Sequence, residues 1–171
     1  KQENDVIGAY RRKELTAIVG LDRLPVELED DTTTVVYNIP MDGNVMLFLN
    51  TSSELLQDIK VRQALAYATQ QDDLIKQVGY PAIKTNGPLL RNQSGYDASI
   101  VQKQFNLEQA AKLFDEAGWR RDEGGMRKKG DKTLSLHFVS QNVAEYASIA
   151  QELQKQWRNV GVEIDVKLRP E

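Results

Sequence analysis

The sequence predicts an α/β fold: a mixed sheet with helices, ending in a βαβ unit. Three observations carry this. The apolar period switches along the chain between two and about 3.6 residues. Capping residues and glycines bracket the helical stretches. The segment 134–168 reads strand, helix, strand, with enough chain for a right-handed crossover. Composition allows such a fold. The chain has 171 residues, 40% hydrophobic and 27% charged, with 22 Lys and Arg against 25 Asp and Glu for a net charge of −3. That is ordinary globular usage, long enough for a real core. A pI near 5.3 argues against a basic nucleic-acid-binding face. No apolar run approaches the roughly 18 residues of a membrane span.

Taken in order, Tyr10 to Leu15 reads as a short charged helix, and Leu24-Pro25 breaks the pattern. Glu27 to Asp31 is an acidic cluster expected in a solvated loop. Thr33 to Tyr37 is β-branched and aromatic, which favours a strand. Pro40, Asp42 and Gly43 make a turn. Val45 to Leu49 is a continuous apolar run, read as a buried strand. Asp58 to Gly79 is helical in two pieces, because five polar residues from Thr69 to Asp73 interrupt the stripe of Val61, Ala64, Leu65 and Ala68. Gly79 supplies the stop.

Tyr80 to Ser99 contains Pro81, Gly87, Pro88 and Gly95 and shows no period. A loop of this length is either ligand-facing or a long surface connection. Asn106 to Ala117 is a helix, with Gln109 in capping-box position to Asn106 and a stripe of Leu107, Ala110, Ala111 and Phe114. Gly118 ends it, and Trp119 packs over the end. Arg120 to Lys132 reads as a charged hairpin whose basic run, Arg127 to Lys129, forms a solvated edge. Leu134, Leu136 and Phe138 alternate with Ser135 and His137 as a half-buried strand. Asn142 is placed to cap the next helix, whose buried face is Tyr146, Ala150, Leu153, Trp157 and Val160. Gly161 ends that helix, and Val162, Ile164, Val166 and Leu168 alternate as the final strand.

The chemistry is sparse. There is no cysteine and one histidine, His137, which removes thiolate nucleophiles and makes a zinc centre improbable. His137 is expected as a surface histidine. No Gly-x-Ser-x-Gly elbow or phosphate-binding glycine loop is present. Asp72 and Asp73 are adjacent, so on a helix they point about 100° apart and form no acid–base pair. No metal or other cofactor is expected. The residues alone lead to a non-enzymatic α/β domain.

The segment Asp58-Ile59-Lys60-Val61-Arg62-Gln63-Ala64-Leu65-Ala66-Tyr67-Ala68 resembles a signature of bacterial extracellular solute-binding proteins of family 5, the receptors of oligopeptide, dipeptide and nickel ABC importers. An apolar strand ending in Asn50 precedes it. A Gly87-Pro88 loop, a Tyr96-Asp97 segment, the run Ala110 to Trp119, and Leu153 to Trp157 with Val160 to Ile164 follow in the family's order. Gln70 departs from the Asp that commonly opens the second helix. Asp72 is the substitute cap one turn later.

The resemblance implies a periplasmic-binding-protein-like lobe, with residues 1–171 as a single domain excised from the centre of a two-lobed protein. It implies capture of a peptide or another small solute between lobes and delivery to ABC permease subunits. The alternative is a ligand-sensing domain of a transcription regulator on the same scaffold. Gly87, Pro88 and Tyr96 are the expected cleft-facing residues. Asn50 is a further ligand-binding candidate, whose competing role is to satisfy backbone groups of the next turn. Arg62 is expected to pair with a carboxylate. The implied setting is periplasmic or extracellular and monomeric, with no nucleic-acid partner. Anchoring is expected through a lipid or signal region upstream of Lys1.

Overall fold

The computed structural model describes residues 3–21, 24–37 and 43–170. Of the turn expected at Pro40, Asp42 and Gly43, the first two lie outside the described residues. The chain divides into two compact units, Lys1–Met41 with Gly79–Pro81, and Asp42–Val78 with Ala82–Glu171.

In the first unit, helix α1 spans Glu3–Arg11, earlier than the expected Tyr10–Leu15. Its anchor is Ile7, which is buried, and the Tyr10 hydroxyl meets Thr34 Oγ1 at 3.2 Å. Lys13 adopts φ +59 just beyond it, so residues 12–15 belong to the stop. Helix α2, Val26–Glu29, is a single turn overlapping the expected acidic loop Glu27 to Asp31. Leu28 is buried, and that anchor draws the segment into a turn. Thr33–Tyr37 forms no strand. Asp31 competes for its backbone: the carboxylate accepts from Thr33 N–H at 2.9 Å, Thr33 Oγ1 at 2.7 Å and Thr34 Oγ1 at 2.8 Å.

In the second unit, the expected buried strand at Val45–Leu49 is likewise unladdered, and Phe48 is 82% exposed. Strand propensity measures the fit to a pleated surface. Among the described residues no neighbouring strand pairs with this segment. Helix α3, Ile59–Tyr67, is capped by Asp58, whose side chain accepts from Lys60 N–H at 2.8 Å. Val61, Ala64, Leu65 and Ala68 are buried along one face. Helix α4, Gln71–Val78, follows after a break, and Gly79 at φ +81 stops it. Helix α5 is Leu107–Glu116.

Asn106 caps α5 by accepting from Gln109 N–H at 2.9 Å. The other half of the capping box is replaced: Asn106 N–H donates to the Tyr67 carbonyl at 2.9 Å, tying α5 to the end of α3. Ala110, Leu113 and Phe114 face the core, whereas Leu107 in the first turn is 44% exposed.

Short strands β1 (Arg120–Arg121), β2 (Arg127–Lys129) and β3 (Lys132–Thr133) form an antiparallel sheet. Strand β4 (Ser135–Gln141), helix α6 (Ala144–Asn159) and strand β5 (Glu163–Arg169) form the predicted βαβ unit. The strands are parallel, in register from Ser135 opposite Glu163 to Gln141 opposite Arg169. Asn142 does not cap α6; its N–H donates to the Arg169 carbonyl at 2.7 Å, so it still serves the ladder. The core joins α3, α5, α6 and the β4–β5 pair, and both Trp119 and Trp157 lie within it.

Arg127 is not a solvated edge residue; it is 1% exposed. Its Nε donates to the Val160 carbonyl at 2.7 Å, and its Nη1 donates to the Trp119 carbonyl at 2.7 Å and to Asp115 at 2.8 Å. The guanidinium also lies 4.7 Å from the Phe114 ring centroid. Burial pulls the Arg127 pKa below its ordinary value, and Asp115 opposes that shift.

The α3–α4 break is fastened by side chains of α6. Gln156 Oε1 accepts from Gln70 N–H at 2.8 Å, and Gln156 Nε2 donates to the Gln70 carbonyl at 3.3 Å. Trp157 Nε1 donates to Thr69 Oγ1 at 2.9 Å, which donates to the Leu65 carbonyl at 2.8 Å. Asp72, expected as the substitute cap, pairs instead with Lys84 at 2.7 Å. Gln156 is buried, and this clasp adds to the partly buried Leu74 in docking the start of α4. Gln156→Ala is therefore expected to cost about 1–3 kcal/mol, the penalty for a stranded backbone donor. Urea unfolding should show it as a lower midpoint with an unchanged slope, and an unchanged midpoint would refute the clasp.

Candidate functional site

Gly87, Pro88 and Tyr96 all lie in the stretch 80–106, which contains no helix or strand. Its latter half is a succession of turns. Gln93, Tyr96 and Ile100 donate their N–H groups to the carbonyls of Leu90, Gln93 and Asp97 at 2.9, 3.2 and 3.3 Å. Gln93 Oε1 also accepts from Leu90 N–H at 2.9 Å. Asp97 accepts from Ser99 N–H at 2.8 Å, and the hydrogen bonds from Ser99 hold its carboxyl below the usual range.

The loop folds back on itself. A β-carbon built on Gly95 would lie 3.3 Å from Leu89 Cδ1, and one built on Gly87 would lie 3.8 Å from Ile100 Cγ2. The Tyr96 segment is thus brought beside the Gly87-Pro88 segment. Tyr96 and Gly87 are half-buried and Pro88 is exposed. Ile83 and Val101 are 87% and 71% exposed, so apolar burial does little to hold this loop.

Polar braces hold it instead. Asn44 Nδ2 donates to the Gly87 carbonyl at 3.1 Å, and Asn44 Oδ1 accepts from Thr85 Oγ1 at 2.9 Å. Gln102 Nε2 donates to the Asn86 carbonyl at 3.0 Å, and Gln102 N–H donates to Asn86 Oδ1 at 3.4 Å. Sequence reasoning missed both braces. The available signal was Asn44, a lone amide at the head of an apolar run.

Asn50 stands apart from this loop in the turn before α3. Its side chain accepts from Ser52 N–H at 3.0 Å and its carbonyl from Ser53 N–H at 3.1 Å. The geometry gives it a turn-satisfying role. Among the described residues Arg62 pairs with no carboxylate; its Nη1 donates to the Leu56 and Gln57 carbonyls at 2.7 and 2.8 Å. It caps the chain reversal that delivers α3, satisfying two carbonyls just before the helix.

His137 is exposed beside Asp165 across the parallel register, at 3.1 Å. His137 first, and then Lys167, hold the Asp165 carboxyl below the usual range. A shallow groove of about 520 Å³ on the second unit is lined by Leu107, Asp115, Arg120, Arg121 and Arg127 among others, but by none of the four predicted site residues. Among the described residues, no group of three or more His, Cys, Asp or Glu is placed to hold a metal ion. Also among them, no helix is long and apolar enough to cross a membrane.

This arrangement can present backbone and aromatic surface to a solute, which is binding chemistry. Comparisons with known proteins give the chain's relatives. The oligopeptide-binding protein OppA of Lactococcus lactis subsp. cremoris is 32% identical over 117 residues, covering 65% of this chain and 19% of that protein. The crystal structure of NikA from Brucella suis in complex with Fe(III)-EDTA superposes with a TM-score of 0.65 at 27% identity, over 72% of this chain and 25% of that one. The oligopeptide-binding protein AppA from Bacillus subtilis, in complex with a nonapeptide, gives 0.62 at 26% identity, over 71% and 25%. The chain thus spans about a fifth to a quarter of the length of these relatives, which are binding proteins and not enzymes. The model of bacterial extracellular solute-binding proteins, family 5 Middle, matches residues 1–171 in full, and the chain belongs to that family.

Proposed function

We propose that this chain is a central part of the substrate-binding component of an ABC importer. That component captures a peptide or another small solute between two lobes and delivers it to membrane permease subunits. The observation that carries this reading is the family match over the whole chain, together with relatives named for oligopeptide binding. Capture follows from differential affinity: closure of two lobes is driven only if the closed state holds the solute better than the open one. The loop carrying Gly87, Pro88 and Tyr96 is this chain's contribution to the site. Asn50 supports the turn before α3. Receptors of this kind work outside the cytoplasmic membrane, in the periplasm or anchored at the cell surface, and this chain is assigned to the same setting as a monomer.

The test is isothermal titration of the full-length receptor and of the 171-residue chain with an equimolar hexapeptide pool. Micromolar or tighter binding is expected for the full receptor. The chain alone should bind at least about 100-fold more weakly, a loss of some 2.7 kcal/mol. Equal affinity of the two would overturn capture between lobes, and absence of binding by the full receptor would overturn the peptide reading.

A further inference from the structure

Gly87 has no internal reason to be glycine. Its φ lies outside the left-handed range, and an added β-carbon would meet only Ile100 Cγ2, at an ordinary 3.8 Å. Gly161 is the contrast: it has φ +86, and a β-carbon there would lie 2.7 Å from the Gly125 carbonyl oxygen. The fold requires glycine at 161 and does not require it at 87. A small residue in the middle of a surface loop leaves the main chain open to close approach from outside.

The same main chain is held with unusual care for an exposed loop. Asn44 uses both ends of its amide within three residues, on Thr85 Oγ1 and on the Gly87 carbonyl. Gln102 grips Asn86 between them through its side chain and its own N–H. Bonds from one residue far upstream, Asn44, and one 16 positions downstream of Asn86, Gln102, converge on Thr85, Asn86 and Gly87. Such braces set conformation in advance of binding, which removes ordering cost from the encounter.

We infer that Thr85–Pro88 is a preset main-chain rest for the captured solute, that Asn44 and Gln102 are the positioning residues that hold it, and that the missing β-carbon at Gly87 is room for the solute. This rests on the solute-capture reading and adds to it the residues that shape the site. Asn44 and Gln102 themselves touch no solute; they act through the loop.

The experiment uses the full-length receptor, with affinity for the hexapeptide pool and thermal midpoint measured on each variant. Gly87→Ala is expected to lower affinity about 10-fold or more while leaving the midpoint within about 2 °C, since the fold has space for the methyl group. Asn44→Asp keeps the acceptor for Thr85 but loses the donor to the Gly87 carbonyl. It should weaken binding as much as Asn44→Ala does, whereas Thr85→Ala, which spares the Gly87 bond, should weaken it less. Unchanged affinity in Gly87→Ala would overturn the rest. Parallel losses of affinity and midpoint across all four variants would reduce the braces to structural bonds and overturn the assignment. If the unaltered receptor fails to bind the pool, the peptide reading falls first, and that failure is separate from any effect of the variants.

Discussion

Arg127→Ala is expected to destabilise the chain by about 3–4 kcal/mol, because it strands buried polar groups and opens a cavity at once. The guanidinium serves the Val160 carbonyl at the C-terminal end of α6, the Trp119 carbonyl just past α5, and Asp115. Asp115 is 44% exposed on its side chain and can turn to water. The carbonyls bonded by Arg127 lie in buried contacts and lose their donor, which is the larger part of the cost. The stem and head also cover Phe114, so packing is lost with the charge. Arg127→Met restores much of the volume but none of the hydrogen bonds. It should recover only part of the loss in urea unfolding, and Arg127→Lys should fall short as well, since an ammonium lacks the planar fork. A loss below about 1 kcal/mol for Arg127→Ala, within the range of ordinary surface changes, would show that the guanidinium is not what joins these elements.

Gly161→Ala is expected to cost about 2–4 kcal/mol, from a left-handed backbone conformation and a steric clash acting together. Gly161 ends α6 at φ +86, and its carbonyl accepts from Arg127 N–H at 2.8 Å. A β-carbon there would lie 2.7 Å from the Gly125 carbonyl oxygen and 3.2 Å from Arg127 N. Both are backbone atoms that cannot swing aside. Gly125→Ala separates the causes. Gly125 has φ +80 but open space around it, so its substitution should carry only the conformational part, about 1–2 kcal/mol. Equal losses at the two positions would mean that β2 moves away freely from the end of α6. Because Arg127 and Gly161 share contacts, the double variant should lose less than the sum.

The local elements that depend on near neighbours in sequence were legible in advance. The break between α3 and α4, the Asp58–Gly79 limits, the Asn106 cap and the terminal strand–helix–strand unit each follow from periods, caps and glycines within one or two turns. Burial of Trp157 was legible from the apolar face of α6, and that of Trp119 from its place just past the Gly118 stop. The family signature from Asp58 to Ala68 was legible as well, and it carried the functional reading.

What failed was whatever depended on a distant partner. Asn142 and Asn106 both sit where a capping rule applies, yet each also has a backbone N–H claimed by a remote carbonyl, Arg169 or Tyr67. Arg127 stands in a run with Lys128 and Lys129, and nothing adjacent marks it as the buried member. Val45–Leu49 and Thr33–Tyr37 have the composition of strands but no ladder among the described residues. The 80–106 loop was legible only as a long aperiodic segment with Gly87, Pro88 and Tyr96 in it. Its braces, Asn44 and Gln102, lie on either side and join it only in three dimensions.

Sequence by itself determined helices α3 to α6, the glycine stops at Gly79, Gly118 and Gly161, the parallel strand pair and the family, because each of these is written in short-range periodicity or contiguous motif. Tertiary structure alone decided that Arg127 is interior, that Gln156 and Trp157 fasten the α3–α4 break, and that Asn44 sets the Gly87 loop. The physical reason is that a polar side chain is placed by the hydrogen-bonding groups it must satisfy, and a folded chain brings those from any distance.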